Sequence, residues 1–438
     1  MKVAVVGGGL AGLAAAVELA DAGARVSLFE GRSRLGGATF SFERNGLWLD
    51  NGQHVALRCC TAYLGFLRRL GVAELLPLQT RLDVPVLREG KPPARLGRVG
   101  LPAPFHLAPT LLRYAPLSPR ERLAAVRAST ALQRLDPADP TLDEQTFAGW
   151  LRAHGQSENA IESLWNLIAL PTLNLPAEEA ALTGAAKVFR TGLLDRADAA
   201  DVGIPAVPFQ RLHADPAAAA LDAHGADVQL GTTIRPDDVE TLLAENDAVV
   251  VAVPHEAAAE LVPNAVDGDA LAGLGSSPIV NLHAHYDRTV LDGPFAATLD
   301  SPLQWLFDRT QASGAKRGQV VAVSLSHAVG EIGQSVASLR ERFLPAIEDV
   351  LPRARGAEVI DFAVTHEPRA TFRAAPGSAK LRPGTRTAVP GLYLAGAWTA
   401  TGWPATMEGA VRSGQAAAAA IVAAGAIRRP AAKVGGAP

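Results

Sequence analysis

The chain has 438 residues, 48% of them hydrophobic and 19% charged, with a formal net charge of −3. That is a soluble globular composition, large enough for two or three domain-sized units and without the basic excess that nucleic acid demands. No apolar run approaches the roughly 20 residues that span a bilayer, and the two cysteines, Cys59 and Cys60, are sequence neighbours, which rarely bridge, so the chain reads as reduced and cytoplasmic.

Lys2–Val6 reads as a short buried strand, which leaves no room ahead of it for a signal peptide. Gly7-Gly8-Gly9 follows. An Ala- and Leu-rich helix is predicted from Leu10 to about Ala22, stopped by Gly23. Arg25–Glu30 is a second strand that ends in an acid, completing a βαβ unit. Residues 105–200 are predicted mostly helical, and Ser118-Pro119-Arg120-Glu121 begins one helix with Ser at the N-cap, Pro at N1 and Glu at N3. Asp247–Val253 reads as a strand closed by Pro254, and Ile279–Tyr286 and Gln319–Ser326 as strands of a second sheet. Gly391–Ala395 is a last strand, leading through Gly396 into an Ala-rich helix near Ala405–Ala424. The Pro-, Gly- and Ala-rich tail, residues 428–438, is expected to be disordered. The implied fold class is α/β. A Rossmann-type domain (1–78, 203–270 and 386–427) carries an inserted mixed α+β substrate domain (79–202 and 271–385).

The strongest local signal is Gly7-x-Gly9-x-x-Gly12 between a strand and a helix, with Glu30 closing the next strand. Gly7 allows the tight turn, Gly9 lets the backbone approach a pyrophosphate at the helix N-terminus, and Gly12 lets helix and strand pack closely. Leu10 and Ala11 open that helix, and Glu30 is placed to accept from the adenosine ribose. This fingerprint alone does not separate NAD from FAD. Arg34-Leu35-Gly36-Gly37-Ala38 extends it. Gly36 and Gly37 offer further backbone N–H groups, and Arg34 a charge, to the phosphates.

This extended fingerprint resembles the amine oxidase and phytoene desaturase superfamily of FAD enzymes. So does the C-terminal stretch Gly391–Gly396 followed by Thr406-Met407-Glu408-Gly409-Ala410. The resemblance implies FAD, and because Cys59 and Cys60 lie far from the C-terminal flavin segment, which has no Cys, the cofactor is expected to be non-covalent. Gly396 and Ala397 would lie at the ribityl chain, Ala405, Thr406 and Met407 at the flavin, and the Ile234 backbone at adenine. The superfamily usually has Asp where this chain has Ala397. Asp50-Asn51-Gly52-Gln53-His54, Pro171–Pro176 around Leu173-Asn174, Ala370-Thr371-Phe372 and Trp398–Gly409 are similar, more narrowly, to the hydroxysqualene dehydroxylases, also called squalene-associated FAD-dependent desaturases. That family resemblance implies reduction of an allylic C30 isoprenoid alcohol to squalene, with loss of water and a hydride from FADH2, by a donor of electrons the sequence does not name. A carotenoid-type desaturase, an amine oxidase and a non-enzymatic isoprenoid-binding chaperone share the fold and remain alternatives.

His54 is a candidate proton donor or substrate-positioning group, with a histidine satisfied by backbone as the plain alternative. Trp403, with Trp398, is a candidate aromatic wall for a cation; core packing is the alternative. His283 and His285 share a strand face without an evident third ligand, so no metal site is assigned. Arg113, Arg120, Arg127 and Arg134 recur every seven residues. They suit either a face that docks on a membrane or a solvated outer face.

Overall fold

The computed structural model describes residues 1–426; the tail expected to be disordered lies outside the described residues. Five strands form one parallel sheet in the order Leu392–Leu394, Ala248–Val251, Lys2–Val6, Arg25–Glu30, Asp227–Leu230. Val3, Ala4, Val5 and Val6 are buried, as a parallel strand covered on both faces requires. The helices Leu10–Asp21 and Met407–Ile421 pack backbone to backbone. A Cβ at Gly414 would overlap the Ala11 carbonyl. Lys2–Val6 is flanked on one side by the next strand in the chain, Arg25–Glu30, and on the other by Ala248–Val251, which arrives only after a long excursion, so the crevice at its carboxyl end is a topological switch point, where ligands of open α/β sheets bind.

The second sheet has seven strands, in the order Val359–Thr371, Ser277–Tyr286, Gln319–Ser326, Trp305–Asp308, Phe295–Thr298, Asp83–Leu87, Ala94–Gly97. All its pairings are antiparallel except that of Phe295–Thr298 with Asp83–Leu87. A hairpin of Ser41–Arg44 and Leu47–Asp50 leads out of the first sheet. Residues 105–194 are largely helical. The helix Pro119–Gln133 starts at a complete capping box. Glu121 also accepts from Ser157 and Asn159, and these bonds draw its carboxyl down to about 2.

Two features were not readable in the sequence. The strands Asp83–Leu87, Ala94–Gly97 and Val359–Thr371 carried no clear signal. Val359–Thr371 holds Asp361, His366, Glu367, Pro368 and Arg369, which an edge strand tolerates and an apolar-run criterion misses. The four heptad-spaced arginines are all exposed, but they do not share one helix: Arg113 precedes a break at residues 114–118, Arg120 and Arg127 lie on the following helix, and Arg134 ends it.

Candidate functional site

A cavity of about 1240 Å³ runs from the glycine fingerprint, past the ends of both sheets, into the helical segment. Of the residues singled out from sequence, Gly7, Gly9, Leu10, Ala11, Glu30, Gly36, Gly37, Ala38, His54, Ile234, Gly396, Ala397, Trp403, Ala405, Thr406 and Met407 all line it. Gly12 and Arg34 do not.

At the fingerprint, Gly7 has φ +107°, and a Cβ there would sit 2.5 Å from the Ala252 carbonyl oxygen. A Cβ at Gly12 would overlap the Gly7 carbonyl, so Gly12 serves packing. At Gly9 the nearest atom to a Cβ would be Gly37 Cα at 3.6 Å, which leaves the helix N-terminus open to the cavity. That helix has no side-chain cap, so its first N–H groups are free for an anion. Gly37 has φ +57° and packs directly on Gly9. Glu30 Oε2 accepts from Gly8 N at 2.7 Å and Oε1 from Arg32 N at 2.8 Å, which fixes the carboxylate at the strand end. Arg34 stands beside this cradle and does not line the cavity. Its guanidinium lies 3.4 Å from the Phe40 ring centroid and donates to the Gly37 carbonyl at 3.3 Å, and these contacts hold it outside the cavity.

At the other sheet end, Gly396 has φ +149°, and any Cβ would overlap the indole of Trp398. Trp398 is buried and its Nε1 donates to Val253 O at 2.9 Å. Arg382, which sequence reasoning missed, organises this loop. It donates to the carbonyls of Ala397 at 3.0 Å and Thr399 at 2.5 Å, and to Thr401 Oγ1 at 3.2 Å. Burial brings it down to about 10. Thr406 caps the last helix through Gly409 N. Glu408, quoted in the C-terminal motif without a role of its own, is fully buried. It accepts from Ala62 N at 3.1 Å, Tyr63 N at 2.7 Å and Arg412 Nε at 2.7 Å, capping the helix Thr61–Arg69 from outside it.

The Asp50–His54 loop is held from several sides. Asp50 pairs with buried Arg309 at 2.7 Å and accepts from Ser41 Oγ at 2.6 Å. Asn51 donates to Ala38 O and to Glu367 Oε1, each at 3.0 Å. His54 packs edge-on to Phe209, 5.2 Å between centroids, and burial lowers its imidazole to about 4. Behind it, Tyr63 and His213 share a hydrogen bond of 2.7 Å. Gln53 Nε2 and Asn281 Oδ1 line the cavity, buried and without a partner. Such orphaned groups fit a cavity built for a polar ligand. His283 and His285 do not line it. His283 is buried, and His285 Nε2 lies 3.0 Å from the Arg317 carbonyl.

Beyond the loop the walls become apolar: Leu82, Val84, Leu111, Leu164, Phe295 and Phe307 are among them. Trp305 stands beside Phe295 and Phe307 there. Trp403 lies between two cations, Lys187 Nζ at 4.7 Å and the Arg412 guanidinium at 5.0 Å from its ring centroid. Lys187 was not legible in sequence, being one basic residue in a short, mostly apolar helix.

Residues 10–422 match the family model of flavin containing amine oxidoreductases. The chain is 30% identical over 451 residues to the hydroxysqualene dehydroxylase of Rhodopseudomonas palustris, covering 97% of this chain and 99% of that one. With the protein of the same name from Sinorhizobium fredii it shares 28%, covering 95% and 97%. The 15-cis-phytoene desaturase of Synechococcus elongatus is 24% identical, covering 97% and 96%. In fold it is similar to an oxidoreductase from Methanosarcina mazei, TM-score 0.72 at 19% identity, covering 95% and 99%. It is also similar to putrescine oxidase, TM-score 0.68 at 21% identity, covering 97% and 99%. The open helix N-terminus, the glycine cradle and the orphaned polar groups fit the FAD that such enzymes carry. The chain belongs to the flavin-containing amine oxidoreductase family and is an FAD-dependent oxidoreductase, similar within that family to the hydroxysqualene dehydroxylases.

Proposed function

We propose that the protein removes the hydroxyl group of hydroxysqualene reductively, giving squalene. The observation that carries this reading is the single cavity joining the dinucleotide cradle to an apolar chamber. Its volume exceeds the roughly 300–1,000 Å³ of a site for one drug-sized ligand, which suits a dinucleotide together with a long hydrocarbon. Bound reduced FAD supplies the hydride. The chain's own part is to hold FAD by the backbone of residues 7–11 and 36–38, to exclude water with the apolar walls, and to face the developing allylic cation with aromatic rings such as Trp403 and Trp305.

Desaturation of an isoprenoid is the second reading, since the desaturase of Synechococcus elongatus aligns over nearly the whole chain. It runs hydride the other way. Reduced protein that converts hydroxysqualene to squalene supports the first reading; oxidised protein that dehydrogenates an isoprenoid supports the second.

The rim of the apolar chamber suits a substrate drawn from a bilayer. Leu101, Phe105, Leu112 and Leu123 are exposed, and Phe105 also lines the cavity. Arg113, Arg120 and Arg127 stand exposed in the same segment, which offers a basic, apolar surface for an anionic membrane. No helix among the described residues is long and apolar enough to cross one.

A further inference from the structure

Dehydroxylation needs a proton as well as a hydride, because hydroxide is a poor leaving group. Several titratable groups that line the cavity are ill suited to deliver one. The His54 imidazole, lowered to about 4 by burial, is neutral at neutral pH. Tyr63 is pushed well above the usual phenol range by burial, and its hydroxyl is engaged with His213. The Glu408 carboxylate is occupied by two backbone N–H groups and Arg412.

Lys187 differs from all of these. It projects from the helix Leu182–Phe189 into the cavity, with Nζ over the face of Trp403. Among the described residues it makes no hydrogen bond or ion pair, so its N–H groups are free for a ligand. We propose that Lys187 is the proton donor to the leaving hydroxyl of the isoprenoid alcohol, an assignment that rests on the dehydroxylation reading above. The ammonium gives one proton to the hydroxyl oxygen. The C–O bond breaks with its electron pair leaving on water, and the allylic carbon takes the hydride supplied by reduced FAD. Each alcohol reduced oxidises one flavin by two electrons. The remaining flavin proton goes to solvent, from which Lys187 recovers its own.

A cationic donor suits an apolar chamber. Its charge passes to the substrate, so no ion pair has to be created where water is absent. Trp403 offers its face to a cation before and after the transfer. Burial holds the ammonium below the ordinary lysine value, which makes it a better acid. Arg412, on the last helix, and Arg190 act in the same direction, while Cys59 and Asp195 oppose them.

The test compares hydroxysqualene with its trifluoroacetate ester, whose leaving group departs without a proton. Both are mixed anaerobically with reduced, FAD-loaded protein, and flavin reoxidation is followed by absorbance. Lys187→Gln should slow the reaction of the alcohol by roughly 10²-fold or more, the scale of a general acid, and that of the ester only a few-fold. Lys187→Arg keeps a cation on Trp403 but cannot release its proton, so it should be slow on the alcohol too. Separately, acylation of Lys187 in the parent, read by mass spectrometry across pH, should titrate below ordinary surface lysines and be blocked by bound squalene. Equal losses on alcohol and ester, or a Lys187→Arg variant as fast as the parent, would overturn the assignment and leave the dehydroxylation reading standing. A parent protein inactive on both compounds would instead remove that reading, and the role of Lys187 with it.

Discussion

Asp50 and Arg309 lie 259 positions apart in sequence and meet at 2.7 Å, both almost wholly buried. The pair ties the hairpin leaving the first sheet to the end of the Trp305–Asp308 strand in the second. Arg309 also donates to Pro205 O at 2.7 Å, and Asp50 accepts from Phe209 N at 3.2 Å. Removing one partner strands a buried charge. Arg309→Met should therefore cost about 3–5 kcal/mol, read as a lower urea midpoint. Asp50→Asn in the same variant should restore part of it. An unchanged midpoint in the single variant would show that the pair does not hold the loop.

Ala397 sits where the family resemblance implies a carboxylate near the ribityl chain. It lines the cavity, and Arg382 already binds its carbonyl. Ala397→Asp should tighten FAD by about one hydrogen bond, on the order of 1 kcal/mol or fivefold in Kd. Arg382→Met should weaken FAD, because the carbonyls of residues 397 and 399 lose their common donor. Calorimetric titration of the two apoproteins checks both; equal or weaker binding by Ala397→Asp would mean that the ribityl path avoids this residue.

His213 and His283 are buried and held neutral, lowered by desolvation to about 3 and about 4. Between the unfolded value near 6.5 and these values, the unfolded chain binds protons that the folded chain does not. The stability they contribute is thus present above pH 6.5 and lost as pH falls towards 4, with a slope of about 1.4 kcal/mol per pH unit for each histidine. His213→Gln should shallow that slope by nearly one proton in urea unfolding measured from pH 7 to 4.5. A slope equal to the parent's would mean that His213 protonates without unfolding.

How much of this was legible in sequence follows from range. The glycine cradle was readable because its demands are local: a positive φ at Gly7 and close approach at Gly12 each admit only glycine, at a spacing set by one strand and one helix. The Asn174 motif was visible but its job was not. Asn174 donates to Ser277 O and Thr371 Oγ1 and accepts from His327 N, clamping the helical segment to the seven-stranded sheet through partners scattered along the chain. The partners of Glu408, which stands inside a motif that was visible, were hidden for the same reason, and Arg382 and Lys187 escaped altogether. A lone charged residue announces nothing until the fold supplies what faces it. Arg34 was read toward the phosphates from its closeness to the glycines in sequence; its contacts with the Phe40 ring and the Gly37 carbonyl depend on the fold and were not readable there.

The exposed apolar residues of the segment 101–123 give a prediction about membranes. Leu101→Ser with Leu112→Ser should reduce flotation with phosphatidylglycerol vesicles, and Arg120→Glu with Arg127→Glu should do so only at low salt. Turnover of detergent-solubilised substrate should survive. Vesicle binding equal to the parent's in both pairs would return this segment to an ordinary solvated surface.

The direction of hydride transfer tests the central claim most directly. Protein carrying FAD reduced with a deuteride donor in deuterated buffer, mixed anaerobically with hydroxysqualene for a single turnover, should yield squalene and oxidised FAD. One deuterium should appear on the carbon that lost oxygen. If reduced protein leaves the alcohol untouched, and oxidised protein instead bleaches on adding an isoprenoid hydrocarbon or an amine, the flavin accepts hydride in this enzyme and the dehydroxylation account is wrong.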